Sequence, residues 1–293
     1  MQATLITTLL LPMALGIIMF GLGLHLRVDD FARIARAPKP VLVGLVAQML
    51  LLPPIAYLIA RMLALPAELA VGMMLLAASP GGATASVFSR LARGDVALNI
   101  TLAAINSLLI LITLPLIVGW AMAHFLGAQA HVPPPTQKVL EVGAIILAPV
   151  LLGMLLRAYT PNAASRIEAI VKPASLAILL GLIVLSVIKE WTLLVSNIGT
   201  LGIACVLLSI FSLGIGYGVA RGLQLERAQG IAIAFEVGIH NTTLAIFIAL
   251  SVLEFPALSV PAAIYSLVMY VCAGAATFWF LRSGPVAGQS PLS

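Results

Sequence analysis

The stretch Phe235-Glu236-Val237-Gly238-Ile239-His240-Asn241-Thr242-Thr243 lies between two apolar runs, Gly230 to Ala234 and Leu244 to Leu250. The whole segment is long enough to cross a bilayer, for which about 20 residues suffice, and it carries a carboxylate near its middle. An ionisable side chain at that depth costs on the order of 2.5–3.5 kcal/mol by insertion scales, so it marks an ion or substrate path. Glu236, His240, Asn241 and two threonines gather oxygen and nitrogen ligands around Gly238, a residue type that permits irregular backbone. The segment reads as a broken helix whose unwound centre binds a ligand.

The rest of the chain supplies the setting. Of its 293 residues 62% are hydrophobic and only 9% are charged, against about 25% charged in an ordinary soluble domain, so the class is a polytopic membrane protein. Cys205 and Cys272 both lie in apolar runs, which indicates packed thiols and not a disulfide framework. The net charge of +5 is scattered in small loop groups with no polar face to collect it, which excludes a nucleic-acid partner and leaves orientation in the lipid bilayer as its role. Nine apolar stretches of spanning length follow one another: 3–24, 38–62, 69–90, 96–123, 138–159, 171–188, 198–220, 228–250 and 257–281. The first has no basic segment ahead of it and no small-residue cleavage pattern after it, so it is expected to be a retained helix.

Nine spans divide the basic residues unevenly. Twelve fall on one side, and Arg61, Lys138 and Lys189 on the other, which accounts for all 15. The positive-inside rule then places the N-terminus outside and the C-terminus in the cytoplasm, in an inner (plasma) membrane. The stretch from Leu126 to Gln137 with Pro133-Pro134-Pro135 becomes an external loop and Ser283 to Ser293 a short polar tail; neither is large enough for a further domain.

A second span is interrupted as well. Ser79-Pro80-Gly81-Gly82-Ala83-Thr84-Ala85-Ser86 breaks an apolar run, with a proline that removes a backbone donor and two glycines that allow the chain to leave helical geometry. The two interrupted spans are five apart, hence oppositely oriented, and broken helices in matching positions of inverted halves point to a secondary transporter's site. Each feature has a plainer explanation: a packing kink, a carboxylate paired with a neighbouring helix, or, for Gln48, Asn99, Asn106 and Ser107, interhelical hydrogen bonds worth about 1 kcal/mol or less. Structural polarity does not explain their coincidence in a chain with no other polar core.

Six motifs in order, from about Leu15 to Tyr270, carry a family resemblance: Gly16-Ile17-Ile18-Met19-Phe20-Gly21-Leu22-Gly23-Leu24 with Asp30-Phe31, Ala47-Gln48 with Pro53, Pro80-Gly81-Gly82, Leu91-Ala92-Arg93-Gly94-Asp95-Val96-Ala97-Leu98, Glu236-Val237-Gly238, and Asn241 with Leu244-Ala245. The chain resembles the bile acid:sodium symporter family in its nine-helix form. The resemblance implies one transmembrane transporter domain over 1–293, all α-helical and built of inverted repeats. Its panel would comprise the spans 3–24, 138–159 and 171–188, and its core the other six, with 69–90 and 228–250 as crossing discontinuous helices.

The same resemblance implies that Glu236 is shared by two sodium ions. Gln48, the carbonyls of Val237 and Ile239, and His240 fall where the family builds one site; Ala85, Ser86, Asn99 and Ala103 fall where it builds the other. The family pattern has glutamine at His240, serine and asparagine at Ala85 and Ser86, serine at Asn99 and a hydroxyl residue at Ala103. Two hydroxyls are therefore lost here, and one amide oxygen becomes an imidazole. The implied function is sodium-coupled symport of an organic anion by alternating access, with a bile-acid-like compound or a small carboxylate such as pyruvate or pantoate as substrate.

Half-helix N-termini near Ala83 to Ala85 and near His240 to Thr242 favour an anion, with Ala83, Thr84, Asn241 and Thr242 as candidate substrate contacts. No arginine is at hand there, which suits a monoanion better than a phosphate ester. His240 adds a proton-coupled or pH-gated carrier as an alternative, since it lies four residues from Glu236 and so shares its face if the geometry is helical. An arsenite-permease-like carrier of the same superfamily is a further alternative, weakened by Ser79 where those carriers depend on a cysteine. An intramembrane protease lacks its nucleophile motif and a second buried acid; a channel fits two inverted broken helices less well than a carrier. The expected ligands are thus sodium and a small organic anion, with no cofactor and no obligate protein partner.

Overall fold

The computed structural model describes residues 11–26, 37–82, 84–127 and 136–283, and every element among them is helical. In order these are α1 (Leu11–His25), α2 (Pro38–Met62), α3 (Ala67–Ala78), α4 (Ala85–Leu91), α5 (Val96–Leu126), α6 (Thr136–Tyr159), α7 (Pro161–Lys189), α8 (Trp191–Gly222), α9 (Arg227–Gly238), α10 (Thr242–Val252) and α11 (Pro256–Arg282). Among the described residues α2, α8 and α11 are long and apolar enough to cross a membrane, and the bent α5, with Pro115 inside it, adds a fourth. Residues 3–10 of the first span, Asp30-Phe31, Ala83, the Pro133-Pro134-Pro135 loop and the tail beyond Ser283 lie outside the described residues.

Helices occupy each expected span, with different limits. α7 begins at Pro161 instead of 171, because its first turns carry Ser165, Arg166 and Glu168 and so escape a search for apolar residues. The outer surface is apolar, as a lipid-facing surface must be: Leu42, Leu58, Ile112, Leu116 and Val271 are all more than half exposed.

Both interruptions are real, and local chemistry locates them. α3 stops at Ser79, whose extended conformation (φ −73°, ψ 145°) is the one imposed on a residue before proline. Pro80 has no N–H to continue the ladder. α9 stops at Gly238, after which Ile239 is extended (φ −115°, ψ 103°), and Asn241 caps α10 by accepting the Leu244 N–H on its Oδ1 at 3.1 Å. The glycines serve closeness and not unusual dihedrals, for Gly127 alone among the described glycines has a positive φ. A Cβ on Gly238 would lie 2.5 Å from Leu213 Cγ of α8.

The two breaks meet. Gly81 and His240 form an isolated antiparallel bridge, in which the Gly82 N–H donates to Ile239 O at 2.7 Å and the Asn241 N–H to Pro80 O at 2.9 Å. Backbone groups freed by breaking a helix find no water in hydrocarbon, so two broken helices that satisfy each other are a stable solution where one is not. Around the crossing, α3 packs on α5 and α2, while α9 packs on α8, α5 and α4. α1, α6 and α7 pack mainly on one another. Arg157 of α6 ties that group together: its Nε donates to Leu24 O of α1 at 2.6 Å and its guanidinium pairs with Glu168 of α7.

Candidate ion and substrate site

Glu236 sits in the last turn of α9 and is fully buried. Its Oε1 accepts a hydrogen bond from Asn106 Nδ2 of α5 at 3.2 Å, and the backbone of Gly81 presses so close that a Cβ there would lie 2.2 Å from the same oxygen. Oε2 has no hydrogen-bond partner, and among the described residues no lysine or arginine pairs with the carboxylate. A buried acceptor left unmade costs about 1–3 kcal/mol, and a buried charge without a counter-charge more. The carboxylate is therefore buried with one oxygen open and no basic side chain beside it among the described residues.

Gln48 reaches the crossing from α2. Prolines at 53 and 54 withhold two backbone donors, and the helix widens ahead of them into a π turn, Ala47–Leu51, closed by the Leu52 N–H on Ala47 O. That turn carries Gln48, whose Nε2 donates to Ser79 O at 3.0 Å while its Oε1 stays without a partner. Beside it, bounded by Gln48, Ser79, Pro80 and Asn106, is a cavity of about 10 Å³, room for one water-sized species.

His240 does not pair with Glu236. The helix has already ended at Gly238, so the four-residue spacing no longer sets them on one face, and the ring turns to Ser79 O, with Nδ1 at 3.4 Å and a buried, unpartnered Nε2. Val237 and Ile239 are fully buried, and Ile239 O accepts the Gly82 N–H. In the second group, Ala85 opens α4, Ala103 is buried, and Asn99 Nδ2 donates to Ala232 O at 3.0 Å; Ser86 is partly buried. Of the substrate candidates, Thr84 Oγ1 donates to Tyr270 OH at 3.4 Å, Thr242 N–H is bound to His240 O, and Asn241 uses its Oδ1 for the α10 cap. Ala83 lies outside the described residues.

Residues 12–217 match the profile of the sodium bile acid symporter family, more than half of the chain. The chain belongs to that family. Sodium bile acid symporters are transporters and not enzymes. The profile match ends ahead of Glu236, but similarity to individual relatives runs further. An uncharacterized sodium-dependent transporter, YocS of Bacillus subtilis, is 32% identical over 274 residues, covering 90% of this chain and 81% of the relative. The rice protein described as a probable chloroplastic sodium/metabolite cotransporter, BASS2, is 28% identical over 97% of this chain and 67% of its own length. The human P3 protein is 29% identical over 76% of this chain and 47% of its own.

Two residues at the crossing escape a reading by type. Asn106 passes for interhelical glue, yet it is the side chain that reaches Glu236. The signal lies in spacing: Asn99 and Asn106 are seven apart, two turns on one face of α5, and their partners Ala232 and Glu236 are four apart on one face of α9. Tyr265 of α11 gives no such signal. It is fully buried with its ring against His240, and its hydroxyl, 3.5 Å from Ser212 Oγ, donates to Gly238 O at 2.9 Å, holding one of the carbonyls that the end of α9 leaves open.

Proposed function

We propose that this chain is a secondary active transporter that couples sodium entry to symport of an organic anion, a bile-acid-like compound or a small carboxylate such as pyruvate or pantoate, by alternating access. The observation that carries the proposal is the fully buried Glu236, with one oxygen unpartnered, at the crossing of two broken helices. Sodium takes hard oxygen ligands; Glu236, Gln48 and the carbonyls of Val237 and Ile239 supply them, with Ser86, Asn99 and the backbone at Ala85 and Ala103 as the second group. The printed names of the relatives, sodium-dependent transporter and sodium/metabolite cotransporter, support the same coupling. The substrate lies beside the breaks, at Asn241, Thr242 and Thr84. α1, α6 and α7 form a panel against which the other helices, the core, rock; their preferential packing on one another supports that division. The N-terminus lies outside and the C-terminus in the cytoplasm.

Uptake into proteoliposomes tests the proposal. An inward sodium gradient drives accumulation of the carboxylate, and a potassium or choline gradient of equal strength does not; equal uptake under all three gradients refutes sodium coupling. A second reading, proton coupling through His240, is favoured by the unpartnered Nε2 of that buried ring. Uptake driven by an imposed proton gradient without sodium supports it, and sodium dependence unchanged from about pH 5.5 to 8 with no proton-driven uptake refutes it.

A further inference from the structure

Four buried side-chain atoms at the crossing have no partner, His240 Nε2 and three oxygens. Glu236 Oε2, Gln48 Oε1 and Asn106 Oδ1 are all side-chain oxygens, all buried, and all without a hydrogen-bond partner. The amide orientations follow from their neighbours. Turning Asn106 over would set its oxygen against Glu236 Oε1 at 3.2 Å, and turning Gln48 over would set its oxygen against Ser79 O at 3.0 Å, acceptor facing acceptor in both cases. Each nitrogen is thus committed to a protein acceptor, and each oxygen is the atom that remains. Both amides line the small cavity between α2, α3 and α5, which has room for one water-sized species; Glu236 does not border it and is linked to it by the Asn106 hydrogen bond to Oε1.

A water molecule brings two donors to three acceptors and leaves the carboxylate charge in place. A single monovalent cation satisfies all three oxygens and cancels the charge. We infer that Asn106 is itself a ligand of the coupling cation, its Oδ1 joining Gln48 Oε1 and Glu236 Oε2 around one sodium ion in the cavity between α2, α3 and α5. The inference rests on the sodium-coupled reading above and adds to it a residue on α5, outside both groups named there. With one carboxylate and two neutral amides the site carries a single negative charge, which matches a monovalent ion and disfavours a divalent one. Because α5 holds Asn106 and α9 holds Glu236, cation binding would pull these two helices together at the breaks.

Thermal unfolding of the purified full-length protein, titrated with NaCl against choline chloride, reads the site without any substrate. The wild type is stabilised by sodium. Asn106→Leu, which keeps the branching and the number of heavy atoms and removes both donor and acceptor, weakens sodium affinity at least ~10-fold, the low end for loss of even an outer partner of a metal site. Asn106→Asp separates ligation from support of Glu236: it replaces the donor to Oε1 by an acceptor, a repulsion that a bound cation relieves, and keeps the Oδ1 oxygen, so it retains the sodium response and gains a calcium response from its second carboxylate. Wild-type sodium affinity in Asn106→Leu overturns the inference and leaves sodium coupling standing. So does Asn106→Asp without either response, which decides the matter even if the leucine variant does not fold. A wild type that ignores sodium refutes the coupled reading, and this inference with it.

Discussion

Gly81→Ala puts a methyl group where the two breaks touch. The added carbon would lie 2.2 Å from Glu236 Oε1, 2.3 Å from Cδ and 2.6 Å from Oε2, where ordinary contact begins at 3.4 Å. More than an ångström of relief is needed, and little slack is available. On one side the strand-like segment is held by Gly82 N–H on Ile239 O and Asn241 N–H on Pro80 O; on the other the carboxylate is held by Asn106. Overfilling a packed interior costs about 1–3 kcal/mol, well below the roughly 5–15 kcal/mol by which folded proteins are stable, so the variant folds. An ion site is less forgiving, since ligand distances must hold within about 0.2 Å. The expected result is a protein that purifies intact, melts somewhat lower without sodium, and shows sodium affinity reduced at least ~10-fold, equivalent to about 1.4 kcal/mol, with coupled uptake lost. The assays are sodium titration of thermal unfolding and gradient-driven uptake in proteoliposomes. If Gly81→Ala binds sodium like the wild type, the ion is not held beside the crossing and the reasoning fails.

Three other substitutions probe separate parts of the argument. Glu236→Gln keeps the shape and the acceptor for Asn106 but removes the charge; it abolishes sodium-coupled uptake, and in sodium-free buffer it melts no lower than the wild type because an uncompensated buried charge is gone. Near-normal uptake by this variant would make the acid merely structural. Tyr265→Phe strips Gly238 O of its 2.9 Å donor in a fully buried setting and lowers stability by about 1–3 kcal/mol, checked by thermal unfolding; an unchanged melting temperature would show that this bond contributes nothing. Arg157→Ala removes the clamp from α6 to Leu24 O and Glu168 and lowers the melting temperature without changing sodium affinity, and an altered affinity would contradict the placement of the site on the other helices.

Much of this fold can be read along the chain because hydropathy and helix punctuation act locally. Apolar runs of spanning length mark where helices lie, and a proline ends a helix from within its own turn, which is why the break at Ser79-Pro80 is visible without any tertiary information. The same locality explains the failures. The polar first turns of α7 are invisible to an apolar search, and the condition that would set His240 on Glu236's face, a continuous helix, ends two residues before it. The glycines at both breaks announced themselves, but their work is to let chain segments touch, which depends on what is opposite: the Glu236 carboxylate for Gly81, the Leu213 side chain for Gly238.

The amino-acid order alone determined that this is a membrane protein with an acid inside an apolar stretch and two helices that cannot stay continuous, because insertion cost and backbone hydrogen bonding depend on residue type and near neighbours. Tertiary structure alone decided which polar groups meet. Asn106 and Glu236 are 130 residues apart, and only the crossing of α5 and α9 turns one amide into a partner of the acid.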